Sequence, residues 1–145
     1  MQAICKKKNI YICYIMQKFL EILKEKGSKV TRPRKKVLSV LLNANYPFTL
    51  SEIYRNCTDI DFASVYRTVQ LFISMKIVRQ INMCDKKIRY ELIIDKPHHH
   101  IQCNGCGKIE KLDICILDEV RKLTDYNITE HMMEFSGLCP DCKIK

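Results

Sequence analysis

The chain has 145 residues, room for one compact domain or two small ones, with nine cysteines and a formal net charge of +9. No stretch reaches the length of an apolar membrane span and no small-residue cleavage site follows the opening segment, so the sequence predicts a cytoplasmic protein with reduced thiols and no membrane partner. Charge is uneven: residues 1–96 carry 19 Lys+Arg against 8 Asp+Glu, whereas residues 97–145 carry 6 against 8, and a basic first part suits a polyanion such as nucleic acid.

Taken in chain order, Gln17 to Lys26 places Phe19, Leu20, Ile22 and Leu23 on one helical face, and Gly27 stops the helix. Thr31 caps a second helix with Pro33 in its first turn, where a missing N–H costs nothing, and Val37, Leu38, Val40, Leu41 and Leu42 supply its apolar stripe. Asn45-Tyr46-Pro47 breaks the chain. Thr49 caps a third helix, with Glu52 completing a capping box and Ile53 and Tyr54 on the apolar side. Asp61 caps a fourth, Phe62 to Met75. Two β-like runs, Ile77–Asn82 and Ile88–Ile94, turn about Asp85-Lys86-Lys87 as a hairpin.

Short helices followed by a hairpin make the pattern of a winged helix-turn-helix, in which the last helix before the wing enters the major groove. The polar faces of that helix carry Ser64, Tyr66, Arg67, Thr68 and Gln70, leaving Val65, Val69, Leu71 and Phe72 for the core. Ser64, Tyr66, Arg67 and Thr68 are therefore the candidate contacts to DNA, with Arg32 and Arg34 placed to hold its backbone.

The second part of the chain holds two paired cysteine motifs, Cys103-Asn104-Gly105-Cys106 and Cys139-Pro140-Asp141-Cys142. Two thiolates separated by two residues close on one tetrahedral zinc, and a second pair completes a four-sulfur site with no open position. Such a site staples structure rather than performing hydrolysis. Cys5, Cys13, Cys57, Cys84 and Cys115 read as small buried or incidental residues.

Upstream, His98-His99-His100 leads into the first cysteine pair in an extended segment, so His98 and His100 share one face and His99 takes the other. With Glu91 from the wing, His98 and His100 suit zinc, iron(II) or manganese. On the opposite face, His99 meets Asp118, from a helix starting near Asp113, and His131, from the next strand, in a second nitrogen and oxygen site.

Together, Asp61-Phe62-Ala63-Ser64-Val65-Tyr66-Arg67-Thr68-Val69, Arg89-Tyr90-Glu91, His98 to Lys108 and Gly137-Leu138-Cys139-Pro140-Asp141-Cys142 resemble the ferric uptake regulator family, from about Met16 onward. The resemblance implies an α+β metal-dependent homodimeric repressor that binds double-stranded DNA. Its winged-helix domain would span residues 1–94, extension included, and its α/β dimerisation domain residues 95–145. By position it implies structural zinc on the four paired cysteines and a regulatory ion on Glu91, His98 and His100. It also implies a third site on His99, Asp118 and His131, and DNA contacts from Tyr66 and Arg67.

The sequence departs from the family pattern in three places. Tyr46-Pro47-Phe48 stands where many members supply a histidine ligand, and Glu110 and Lys111 stand near a position where the family often has an acidic residue. Met1 to Ile15 has no counterpart in shorter members and is expected to be an extension or a start-site artefact. The expected function is an iron-responsive repressor without catalytic residues, with zinc-uptake or peroxide-stress regulation as alternatives. From other classes, a zinc-dependent hydrolase and a zinc-ribbon adaptor remain open.

Overall fold

A computed structural model of the chain describes residues 2–94 and 97–144, residues 2–9 by their backbone alone. The side chain of Cys5 and residues 95–96, which open the expected second domain, lie outside the described residues. The chain divides into two compact units. One takes in the chain through Ile81 together with Ile88–Ile94; the other takes in the hairpin tip Asn82–Lys87 and the C-terminal part.

In the first unit, helix α1 runs over Gln2–Glu25, longer than the apolar pattern from Gln17 alone predicts. Ile15, Phe19 and Leu23, four residues apart, form its buried stripe. Its end is a Schellman motif: Gly27 at φ 71° donates to the Lys24 carbonyl, and Ser28 donates to that of Leu23. Helix α2 (Arg32–Leu42) buries Val37, Leu38 and Leu41. The two-residue strand β1 (Phe48–Thr49) leads into α3 (Leu50–Asn56). The capping box at Thr49 is present, with Glu52 N donating to Thr49 Oγ1 at 3.3 Å and Thr49 N donating to Glu52 Oε2 at 2.7 Å.

Helix α4 (Phe62–Ser74) is capped by Asp61, whose carboxylate accepts from Ser64 N at 2.9 Å and is held below the usual range by the Ser64 side chain first and by that backbone N–H second. It ends in a second Schellman motif, with Lys76 at φ 56° in the place usually taken by glycine. Strands β2 (Val78–Asn82) and β3 (Ile88–Leu92) form the wing, and the sheet order is β1-β3-β2. Phe72, Leu38, Val65 and Val69 are fully enclosed at the centre of the unit. Burial of each such side chain stabilises by about 1.5–3 kcal/mol. Tyr54, expected on the apolar side of α3, is exposed and packs edge-on against Phe62 with ring centroids 5.4 Å apart.

The second unit is built on β4 (His99–Cys103), which pairs antiparallel with β5 (Ile109–Leu112) and parallel with β6 (Glu134–Gly137). Two short helices, α5 (Leu117–Arg121) and α6 (Pro140–Lys143), complete it. As the central strand, β4 carries histidines at one end and Cys103 at the other. Its register sets His100 opposite Glu134 and Cys103 opposite Gly137, which brings the second cysteine pair beside the first.

Candidate metal centres and nucleic-acid interface

The four paired cysteines converge, their sulfurs all within 4.8 Å of one another. Cys106 Sγ and Cys139 Sγ are 3.7 Å apart, close to the edge of about 3.8 Å of a tetrahedron with 2.3 Å zinc–sulfur bonds. The turn after β4 shapes the first pair: Gly107 N donates to the Cys103 carbonyl at 2.9 Å, and Cys103 N donates to that of Lys108 at 2.8 Å. Gly105 is packed so closely that a Cβ there would lie 2.9 Å from Cys142 Sγ. The second pair straddles the start of α6, with Pro140 in its first turn.

Their acidities differ sharply. Hydrogen bonds from the backbone at Cys139, Cys106 and Gly105 lower the Cys103 thiol to about 6. The Cys142 thiol is pushed up to about 12 by the neighbouring thiols of Cys139, Cys103 and Cys106. For Cys139 the backbone N–H of Cys142 favours the thiolate, but the Cys103 thiol and burial outweigh it and the pKa rises. Four crowded thiols, with Cys139 and Cys142 held protonated by their neighbours, are a donor set that a divalent thiophilic cation neutralises, and the residues fit zinc.

At the other end of β4 the alternation expected of the three histidines holds. The rings of His98 and His100 lie together with centroids 5.1 Å apart, and His99 pairs with His131 at the same separation. All three histidines of the run are buried. Glu134, which sequence reasoning passed over, accepts from His100 N at 3.0 Å, and the same oxygen lies 3.8 Å from His100 Nδ1. Only the parallel register of β4 and β6 reveals that relation. Glu91 belongs to the first unit, on β3, where its Oε2 accepts from Arg79 Nε and Nη2 at 3.0 and 2.8 Å.

The third expected cluster needs a correction. His131 Nε2 lies 3.3 Å from His99 Nε2, but Asp118 does not join them. On α5 its carboxylate is exposed and pairs with Arg121, one turn on, at 3.1 Å. The third member is Cys115, whose Sγ lies 3.4 Å from His131 Nε2. Its position three residues before Asp118 was the only signal in the sequence, and it carried no motif. Of the remaining thiols described, Cys57 is buried in the first unit, where desolvation pushes its pKa up, and Cys13 and Cys84 are exposed. Glu110 pairs with Lys108 at 2.6 Å and Lys111 with Asp113 at 2.9 Å. At the missing histidine position, Tyr46 donates its hydroxyl to Glu52 Oε1 at 3.2 Å.

On the first unit, Tyr66 and Arg67 project from α4 into solvent. Arg34, Ser64 and Arg67 line an open groove with Thr31, Pro33 and Thr68. Arg34 donates to the Lys29 carbonyl, and Arg32 pairs with Asp59 at 3.3 Å. Thr68 is the exception among the candidate DNA contacts: at 5% exposure it is buried. It stands three residues after Val65 and four before Phe72, on the stripe that α4 packs inward, so helical phase overrides its polarity.

Comparison with known proteins agrees with this arrangement. The profile of the ferric uptake regulator family matches residues 25–136. The peroxide-responsive repressor PerR of Staphylococcus saprophyticus is 33% identical over 131 residues, covering 85% of this chain and 88% of the relative. The ferric uptake regulation protein of Campylobacter upsaliensis is 30% identical over 148 residues, 94% of each chain. Among solved structures, the Vibrio cholerae ferric uptake regulator superposes with a TM-score of 0.70 at 28% identity, covering 83% of this chain and 98% of that one. The Helicobacter pylori regulator, described as having three functional metal binding sites, gives a TM-score of 0.75 at 24% identity over 91% and 93%. With a winged helix, a second unit built on a histidine-bearing strand, four convergent cysteines and this match over most of its length, the chain belongs to the ferric uptake regulator family.

Proposed function

We propose that this protein is a cytoplasmic, metal-responsive transcriptional repressor. It binds pseudo-palindromic double-stranded DNA as a homodimer, and iron(II) is the ion it senses. Among the described residues no helix is long and apolar enough to cross a membrane. The observation that carries the reading is the family match over residues 25–136, which takes in both the exposed Tyr66 and Arg67 of α4 and the buried His98 and His100 before and within β4. In this reading the chain up to residue 94 grips DNA and the remainder pairs the subunits. Zinc on Cys103, Cys106, Cys139 and Cys142 supplies folding free energy. The regulatory ion is held by Glu91, His98 and His100. An ion shared between wing and dimerisation domain shifts the DNA-binding equilibrium by its differential affinity for the closed form. Tyr66, Arg67, Ser64, Arg32 and Arg34 meet the DNA, and no residue is assigned a catalytic role.

The test is a gel-shift titration of the purified dimer on palindromic and random duplexes, with iron(II), zinc or manganese and after chelation. An operator-specific shift, lost on chelation and in His98→Ala/His100→Ala, is expected. Equal binding to random DNA, or binding indifferent to metal, overturns the reading. A peroxide-responsive variant of the same function is supported by the Staphylococcus saprophyticus relative. Release of the iron-loaded protein from operator by peroxide, at doses that leave the manganese-loaded protein bound, selects it.

A further inference from the structure

We propose that Glu134 is a positioning residue for the regulatory ion: its carboxylate holds His100 by backbone and ring, so that the ring proton stays on Nδ1 and the lone pair of Nε2 is presented to the metal. The inference rests on the reading of His98 and His100 as ligands and adds to it a residue that touches no metal itself.

Three observations carry it. The first is register. His100 stands opposite Lys111 of β5 on one side and Glu134 of β6 on the other, so the three share one face of the sheet. Glu110 stands opposite Ile101, on the reverse face, and pairs with Lys108. Lys111 is a cation and pairs with Asp113. Of the two cross-strand neighbours of His100, Glu134 is therefore the one that brings a carboxylate. The second is a double contact. Glu134 Oε2 accepts from His100 N at 3.0 Å, which fixes where the carboxylate sits. The same oxygen lies 3.8 Å from His100 Nδ1, at ion-pair distance. The third is burial. The side chain of His100 is 2% exposed and that of Glu134 19%, so the two meet largely out of water, where charge acts more strongly.

The chemistry follows from the oxygen facing Nδ1. A neutral imidazole carries one proton, and an ionised carboxylate can only accept, so the proton is held on the nitrogen beside it. Nε2 is then the nitrogen free to bind metal. A carboxylate behind a ligating histidine fixes the ring and raises its basicity. Its charge also offsets Lys111 on the other flank, which by itself opposes the approach of a dication.

The experiment uses the full-length protein with its zinc counted, and reads two quantities. Long-range proton–nitrogen spectra before any further metal is added, with the ring of His100 assigned from its loss in His100→Gln, should show the proton on Nδ1. Manganese titration, with the free ion followed by electron paramagnetic resonance, gives the affinity. Manganese is chosen because it gains little from the thiols of the chain. The binding step lost in His98→Ala belongs to the histidine site. Glu134→Gln keeps an oxygen for His100 N but no charge, and should weaken that step about 10–100-fold at unchanged zinc content and melting temperature. A Glu134 that only supports the strand would leave the manganese affinity of Glu134→Gln at the parental value, and that result overturns the proposal. So does a His100 ring protonated on Nε2 in the parent protein, a measurement that stands whether or not the variant folds. A manganese step indifferent to His98→Ala sinks the regulatory reading instead, while the position of the ring proton still reports whether Glu134 holds His100.

Discussion

Cys106 Sγ and Cys139 Sγ stand 3.7 Å apart although 33 residues separate them in the chain. The contact closes a loop holding β5, α5 and β6. Few large apolar side chains of this unit are enclosed, and Ile114, Leu123, Tyr126, Met132 and Leu138 are all exposed. A unit so short of core depends on the staple. Cys103→Ser is therefore expected to lose zinc and to abolish the melting transition of the second unit while that of the first persists. Calorimetry with metal counting checks this, and an unchanged two-transition melt contradicts it.

Zinc loading of the metal-free protein should release protons, because metal binds thiolate. The Cys103 thiol, lowered to about 6, is already ionised at pH 7.5, whereas Cys139 and Cys142 are raised and still protonated there. At least about two protons per zinc are expected at pH 7.5, and zinc affinity should fall as pH is lowered. Indicator-dye titration in weak buffer measures the number.

Gly105→Ala places a methyl 2.9 Å from Cys142 Sγ and 3.0 Å from its Cβ. Overpacking of this kind costs about 1–3 kcal/mol. Here it acts on a zinc ligand, so faster zinc loss to a chelator is expected. Gly137→Ala, which meets nothing within 4 Å, serves as the control with near-parental zinc retention.

Lys76 ends α4 in the left-handed region at φ 56°, where a side chain is strained by about 1–2 kcal/mol. Lys76→Gly relieves that strain and gives back part of it as unfolded-state entropy. A net stabilisation of up to about 1 kcal/mol is expected, read as a higher melting temperature of the first unit.

Arg67 and Thr68 are sequence neighbours in opposite settings, the first exposed and the second buried. Arg67→Ala should weaken operator binding about tenfold or more and leave the melt unchanged. Thr68→Ala, on the buried stripe of α4, should instead lower stability by about 1 kcal/mol. Fluorescence anisotropy on operator DNA beside a thermal melt of each variant separates the two.

Much of this was legible along the chain. The helix ends at Gly27, Thr49 and Asp61 follow from local chemistry, since a cap or a left-handed glycine acts within one turn. The period of two over His98–His100 assigned the faces correctly, and the paired cysteines announced their cluster by spacing alone. Three other features were decided by tertiary structure. Thr68 is buried because it shares the inward stripe of α4 with Val65, Val69 and Phe72, whatever the polarity of the residue. Glu134 reaches His100 because β6 runs parallel to β4 in a particular register. Cys115 rather than Asp118 meets His99 and His131 because the short helix α5 begins between them and carries the aspartate out to Arg121. Periodicity and capping are local and travel with the sequence. Which distant side chains share a site depends on strand register and on where a helix starts, and those are settled only when the chain packs.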